Sequence, residues 1–176
     1  MNFCVPRENI LQFGLREGMK VGDLGAGSGH YALSASPIVG HTGKVYAVDI
    51  QEDVLKHIRE EARVKGLSNI ETIWGDLEEK GGTRLRDHTL DAVIISNTLF
   101  QVENRERVID EIKRIIHPGG KVLVIDWAGC YDGIGPSDER VITEFVAHDL
   151  FITAGFHKVK DFRAGPHHYA IVFTAP

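Results

Sequence analysis

Val21-Gly22-Asp23-Leu24-Gly25-Ala26-Gly27-Ser28-Gly29 is a short apolar run that empties into alternating glycines just before a helical pattern starts at His30. That order reads as a strand, a tight turn and a helix start. Glycine at Gly25 and Gly27 lets the backbone take positive φ and leaves no Cβ to block a ligand lying against the turn. A dinucleotide site would show G-x-G-x-x-G, with the pyrophosphate on the helix N-terminus. Here the third glycine, Gly29, comes one residue early. Asp23, two residues before the first glycine, is a poor neighbour for phosphate and a good one for a cation.

S-adenosylmethionine is a ligand of that kind: it carries an ammonium, a sulfonium and no phosphate, and its ribose diol needs an acceptor further along the chain. Asp23-Leu24-Gly25-Ala26-Gly27-Ser28-Gly29 resembles motif I of the class I S-adenosylmethionine-dependent methyltransferases. A lone glycine loop is a weak signal, so the rest of the chain carries the weight.

Downstream of the loop, Tyr31, Leu33, Ile38 and Val39 mark a helix that ends at Gly40, and Lys44-Val45-Tyr46-Ala47-Val48-Asp49 is a β-rich run ending on a carboxylate. An acid at the end of the second strand of a βαβ unit, about 20 residues past the glycines, suits a ribose diol. Residues 53 to 65 form an amphipathic helix through Val54, Leu55, Ile58 and Ala62, stopped by Gly66. Ile70-Glu71-Thr72-Ile73-Trp74 alternates with period two and leads into Gly75-Asp76-Leu77. The resemblance implies that the Asp76 side chain receives the adenine amino group, that the Leu77 N–H meets a ring nitrogen, and that Ile50 borders the same ligand. Residues 78 to 89 read as a polar surface connection.

Leu90-Asp91-Ala92-Val93-Ile94-Ile95 is nearly continuously apolar, as a strand buried on both faces should be, and it ends at Ser96-Asn97-Thr98-Leu99-Phe100-Gln101. That turn is similar to the family's motif IV, which implies that Asn97 lies beside the donor and the reacting atom of the substrate. The Asn-Pro-Pro-Tyr form of the adenine and glutamine N-methyltransferases is absent. A helix over 105 to 116, with Val108, Ile112 and Ile115 in register, is closed by His117-Pro118-Gly119-Gly120, and Lys121 to Asp126 is the next strand. With motif I this segment resembles the small-molecule branch that includes the quinone-biosynthesis C-methyltransferases, over about Gly18 to Asp126. Beyond it come a Gly-rich loop over 127 to 136 and a helix over 138 to 154 capped by Ser137, with Val141, Phe145, His148 and Ile152 on one stripe. Two strands, 156 to 162 and 169 to 174, follow, joined at Gly165-Pro166 as an antiparallel hairpin.

Upstream of the loop, Pro6 opens a short helix over 6 to 16 with Ile10, Leu11 and Leu15 on one face and Phe13 beside them. So little chain precedes the glycine loop that any cover over the ligand comes from this helix, a later loop or a partner. The 176 residues, 43% of them hydrophobic, point to one domain over 1 to 176. No apolar run approaches the roughly 20 residues of a membrane span, and no signal peptide opens the chain, so a cytoplasmic protein is expected. Cys4 and Cys130 make neither a disulfide framework nor a metal site. The formal charge of −5, with Lys and Arg scattered among Asp and Glu, argues against a broad nucleic-acid groove and leaves room for a local basic patch. The resemblance implies a small-molecule substrate, and a homo-oligomer stays open.

Alternating strands and helices give an α/β Rossmann-like sheet of seven strands with helices on both faces, for which the family order is 3-2-1-4-5-7-6 with strand seven antiparallel. Asp23, Gly25, Gly27, Gly29, Asp49, Ile50, Asp76, Leu77 and Asn97 then fall on the carboxyl edge, where such sheets bind ligands. The expected activity is methyl transfer to a carbon, oxygen, nitrogen or other atom of a small molecule. Strand direction brings His167 and His168 to the same edge near Trp127, as candidate general bases. Against this stand a nicotinamide oxidoreductase, disfavoured by the glycine spacing and Asp23, and a module that binds the cofactor without turnover. An isoaspartyl methyltransferase lacks its N-terminal segment here, and an arsenite methyltransferase its cluster of thiolates.

Overall fold

The computed structural model describes residues 5–131 and 134–176. Expectations resting on Met1 to Cys4, or on Asp132 and Gly133 of the Gly-rich loop, lie outside the described residues. The elements run α1 (Pro6–Phe13), β1 (Lys20–Leu24), α2 (His30–Val39), β2 (Lys44–Asp49), α3 (Glu52–Val64), β3 (Ile70–Trp74), β4 (Leu90–Ser96), α4 (Arg105–Ile115), β5 (Ile116–Trp127), a 3-10 turn (Asp138–Arg140), α5 (Glu144–Thr153), β6 (His157–Gly165) and β7 (His168–Thr174). All seven strands join one sheet in the order β3-β2-β1-β4-β5-β7-β6. The first five pair in parallel, and β7 runs antiparallel to both β5 and β6.

The central strands are apolar throughout because each of their faces is covered. Val93 and Ile95 of β4 and Val122 and Val124 of β5 enter one core, with Val108, Ile112 and Ile115 of α4 and Phe151 of α5. Ala92, Ile94, Leu123 and Ile125 enter the other, with Ile10 and Phe13 of α1, Tyr31 and Ala35 of α2 and Ile58 of α3. Side chains that alternate across two buried faces leave no polar stripe, so these strands read as continuous runs.

Two helices differ from the sequence reading. α1 ends at Phe13, where Gly14 takes a left-handed C-cap, so Leu15 lies beyond it; Ile10 and Phe13 turn inward and Leu11 is 64% exposed. α5 begins at Glu144, with Thr143 rather than Ser137 as its N-cap, accepting the Val146 N–H at 3.3 Å. Its phase is set by Phe151, which stacks on Phe173 at 4.8 Å and meets Phe156 edge-on at 5.2 Å. Ala147 and Phe151 are therefore the buried residues of α5, and Phe145, from the expected stripe, is 78% exposed. His148 is half-buried with its ring 6.3 Å from Phe173.

The connection over 78 to 89 is polar and carries a buried anchor. Glu111 of α4 accepts the N–H groups of Gly81 and Thr83 and the Thr83 hydroxyl, at 3.0, 3.2 and 2.6 Å. It also pairs with Arg114, which reaches Asp87 and the Leu85 carbonyl.

Candidate active site

The carboxyl ends of β1, β2 and β4 are tied together by the glycine turn. The N–H groups of Gly25 and Ala26 both donate to the Val48 carbonyl of β2, at 2.9 and 3.0 Å. From β4, the Thr98 hydroxyl reaches the Leu24 carbonyl at 3.3 Å and lies where a Cβ on Gly25 would be, 2.4 Å from it. The Asp49 carboxylate closes the arrangement, accepting the Gly27 N–H on Oδ2 and the Gln51 N–H on Oδ1, each at 2.9 Å. Each oxygen keeps lone-pair capacity for a further donor.

Two clefts open on either side of this turn. The larger, about 670 Å³, is lined by Asp23, Gly25, Gly27, His30, Ser96 and Asn97 among others, with Pro6 and Arg7 of α1 as a wall. The smaller, about 290 Å³, is lined by Asp49, Ile50, Gly75, Asp76, Leu77 and Thr98 among others. They share Gly25, Gly27 and Gln101. Gly27 stands between them at φ +49°, and a Cβ there would meet nothing nearer than 4.0 Å. The space beside it is the cleft itself.

Asp23 is 2% exposed, and its Oδ2 accepts the Ala32 N–H at 2.8 Å, fastening β1 to the first turn of α2. Burial pushes its pKa up to about 7; the Ala32 hydrogen bond opposes the rise, and the nearby Asp49 charge adds to it. A carboxyl in that state is poised to ionise against a cation. Asp76 accepts the Glu78 N–H on Oδ1 at 2.9 Å, which shapes the turn after β3, and the residue lines the smaller cleft. Asn97 adopts φ +55°, a conformation that asparagine takes more readily than most residues. Its N–H donates to Ile125 at 2.9 Å and its carbonyl accepts Gln101 Nε2 at 2.6 Å. Its Oδ1 is buried with no hydrogen-bond partner among the described residues.

Of the other residues singled out from the sequence, Gly29 lines neither cleft: a Cβ on it would stand 2.6 Å from Ile58, so its role is to let α3 approach. His167 and His168 arrive at the expected edge, where Trp127 pairs with His168 across β5 and β7. Their rings pack at 4.2 Å from Tyr131 and 4.3 Å from Trp127 respectively, and neither lines either cleft. Sequence reasoning missed Arg7, His30 and Gln101. Gln101 was signalled only by lying four residues beyond Asn97, and Arg7 by nothing in the periodicity of α1.

A family model described as a methyltransferase domain matches residues 15–159. The chain belongs to that methyltransferase family. The ubiquinone/menaquinone biosynthesis C-methyltransferase of Shewanella pealeana is 36% identical over 123 residues, 69% of this chain and 48% of that protein. Its counterpart in Cronobacter sakazakii is 34% identical over 116 residues, 65% of this chain and 45% of that protein. The chain thus spans about half the length of the curated relatives it matches. A SAM-dependent methyltransferase from Aquifex aeolicus superposes with a TM-score of 0.90 at 28% identity, covering 99% of this chain and 91% of that one. The [4+2]-cyclase SpnF shares the fold, with a TM-score of 0.81 at 17% identity over 97% of this chain and 80% of that one. Among the described residues, no helix is long and apolar enough to cross a membrane.

S-adenosylmethionine is the methyl donor that the family and fold imply. The residues present fit it: a glycine turn open where a Cβ would intrude, a half-satisfied carboxylate at the end of β2, and a carboxyl at the end of β1 whose ionisation a cation would favour.

Proposed function

We propose that this chain transfers the methyl group of S-adenosylmethionine to a small-molecule acceptor held in the larger cleft. The observation that carries the proposal is the pair of adjoining clefts across one glycine turn, one with Asp49 and Asp76 on its wall and the other with Asp23 and Asn97. Asp49 offers acceptors to the ribose diol, Asp76 receives the adenine amino group, and Ile50 and Leu77 border the adenine. Asp23 faces the ammonium of the methionine end. Asn97 supplies a buried amide oxygen beside the reacting atoms.

The donor would supply an activated methyl on a sulfonium, whose sulfur is the leaving group and departs as a neutral thioether when a nucleophile attacks the methyl in line. What the chain contributes is alignment, and holding two reactants in near-attack geometry is worth up to roughly 7 to 11 kcal/mol. The side chains lining the clefts are hydrogen-bonding or apolar, as positioning groups should be. The two histidines expected as general bases line neither cleft, so as proposed bases they act only on an acceptor that extends to the edge beside Trp127 and Tyr131. His167→Ala or His168→Ala should then lower turnover by roughly 100-fold or more with donor affinity intact. Full turnover in both variants would leave the pair as packing for the loop that starts at Trp127.

The test is direct. Calorimetry with S-adenosylmethionine and its demethylated product, S-adenosylhomocysteine, should show binding, and radiolabelled methyl should pass to a component of a metabolite extract. Binding without transfer to any component would replace the enzyme by a cofactor-binding module. Absence of binding would remove the assignment.

A further inference from the structure

We propose that the acceptor in the larger cleft is an anion, and that Arg7 is the residue that selects it; the inference rests on the donor reading above. Among the described residues, the Arg, Lys, His, Asp and Glu side chains lining this cleft are Arg7, Asp23 and His30. Asp23 is engaged at the base with the Ala32 N–H. Arg7 stands on the first turn of α1, exposed, with no ion-pair or hydrogen-bond partner among the described residues. Its neighbour Glu8 cannot neutralise it, since adjacent residues of a helix point in different directions. An unpaired guanidinium on a cleft wall, in a chain of formal charge −5, marks this rim as cationic against its surroundings.

The wall that carries Arg7 is fixed. Ile10 and Phe13 of α1 are buried, and Asn9 Nδ2 donates to the Tyr31 hydroxyl at 2.9 Å and the Ala164 carbonyl at 3.1 Å. These bonds hold α1 to α2 and to the end of β6, so Arg7 is presented from a rigid support. A guanidinium stays charged at all ordinary pH and offers a planar fork that matches a carboxylate in two hydrogen bonds. The anionic group serves as a handle, separate from the reacting atom. In the reaction an electron pair of the acceptor nucleophile forms the bond to the methyl carbon, the carbon–sulfur pair returns to sulfur, any proton on the nucleophile passes to solvent, and the carboxylate is unchanged.

The donor also has a carboxylate, on its methionine end, and the experiment separates the two sources. Wild type, Arg7→Gln and Arg7→Lys, saturated with S-adenosylhomocysteine, are titrated with benzoate, 4-hydroxybenzoate and nicotinate, each against its uncharged amide. The expected result is that at least one acid binds the wild type tenfold or more tighter than its amide. Arg7→Gln should abolish that preference and Arg7→Lys keep part of it. Affinities for S-adenosylhomocysteine and for 5′-methylthioadenosine, which lacks the amino-acid end, should stay within twofold. Melting temperatures should not move, because the Arg7 side chain has no partner to lose among the described residues. No acid preference, or a preference that survives Arg7→Gln, overturns the proposal. So does weakened binding of S-adenosylhomocysteine alone, which would give Arg7 to the donor's own carboxylate. Failure of the wild type to bind S-adenosylhomocysteine removes the donor reading and this proposal with it, an outcome distinct from donor binding without acid preference.

Discussion

Asp49→Ala tests the donor site at its most connected residue. The side chain holds two backbone N–H groups, those of Gly27 and Gln51, each at 2.9 Å, and is 8% exposed. In the proposed complex it also accepts the ribose hydroxyls. A hydrogen bond to a charged group is worth roughly 1.5 to 3 kcal/mol, so losing one net diol contact weakens S-adenosylhomocysteine by about 10- to 150-fold. The variant also frees the Gly27 N–H and loosens the turn, and that contribution must be separated from the diol. A double-mutant cycle does so: wild type and Asp49→Ala are each titrated with S-adenosylhomocysteine and with its analogue lacking both ribose hydroxyls. If Asp49 binds the diol, removing the hydroxyls costs affinity in the wild type and little further in the variant. If the two losses simply add, Asp49 acts through the Gly27 turn alone, and the ribose assignment is refuted.

Gly27→Ala and Gly29→Ala should part company, although positive φ costs each about 1 to 2 kcal/mol. The first places a methyl in open cleft and should abolish donor binding; the second places one 2.6 Å from Ile58 and should lower the melting temperature further, by an overpacking cost of about 1 to 3 kcal/mol. At Glu111 burial would raise the pKa, but the hydrogen bonds from Arg114, Thr83 and Gly81 outweigh it and bring the value to about 2. Its contribution, of order 3 kcal/mol, is therefore complete above the unfolded value of 4.5 and lost as pH falls toward about 2, and acid unfolding of Glu111→Gln should lack that component. Asp23 shifts the other way, to about 7, so the fold loses stability as pH rises from 3.8 to about 7, while a cationic donor favours the ionised form. Affinity for S-adenosylmethionine should accordingly rise with pH up to about 7 and level off; a wild-type profile as flat as that of Asp23→Asn would refute the role.

The parallel half of the fold was legible because its signals are local. Strand, glycine or acidic turn and helix follow one another from Val21 to Asp126, except that a polar connection replaces the helix between β3 and β4, and each turn lies where the strand ends. The start of α5 was not: Ser137 reads as an N-cap by residue type, but the helix begins six residues later, behind Thr143, and periodicity alone does not fix that start. The phase is set by Phe151 against Phe156 just past the helix and Phe173 on β7, the latter far beyond any local window. Arg7 escaped for a similar reason: an arginine on a short helix has no signature until the fold sets that helix beside the glycine turn. The anchor at Glu111 was hidden too, since its partners lie about thirty residues upstream in a segment whose composition says only surface.

Motif I carries the same limit within a few residues. Its three glycines look interchangeable in the sequence, yet each answers a different neighbour. Gly25 yields to Thr98 from the end of β4, Gly29 yields to Ile58 from α3, and Gly27 alone faces open space. All three share positive φ, so backbone conformation does not distinguish them. What distinguishes them is the object each missing side chain makes room for: the strand that brings Asn97, the helix behind Asp49, and the cleft. Substituting the first two disturbs the frame that holds the carboxylates in register, and substituting the third fills the cleft while leaving that frame in place. A motif defined by residue type therefore contains two packing constraints and one ligand constraint, and only the third bears directly on what the protein binds.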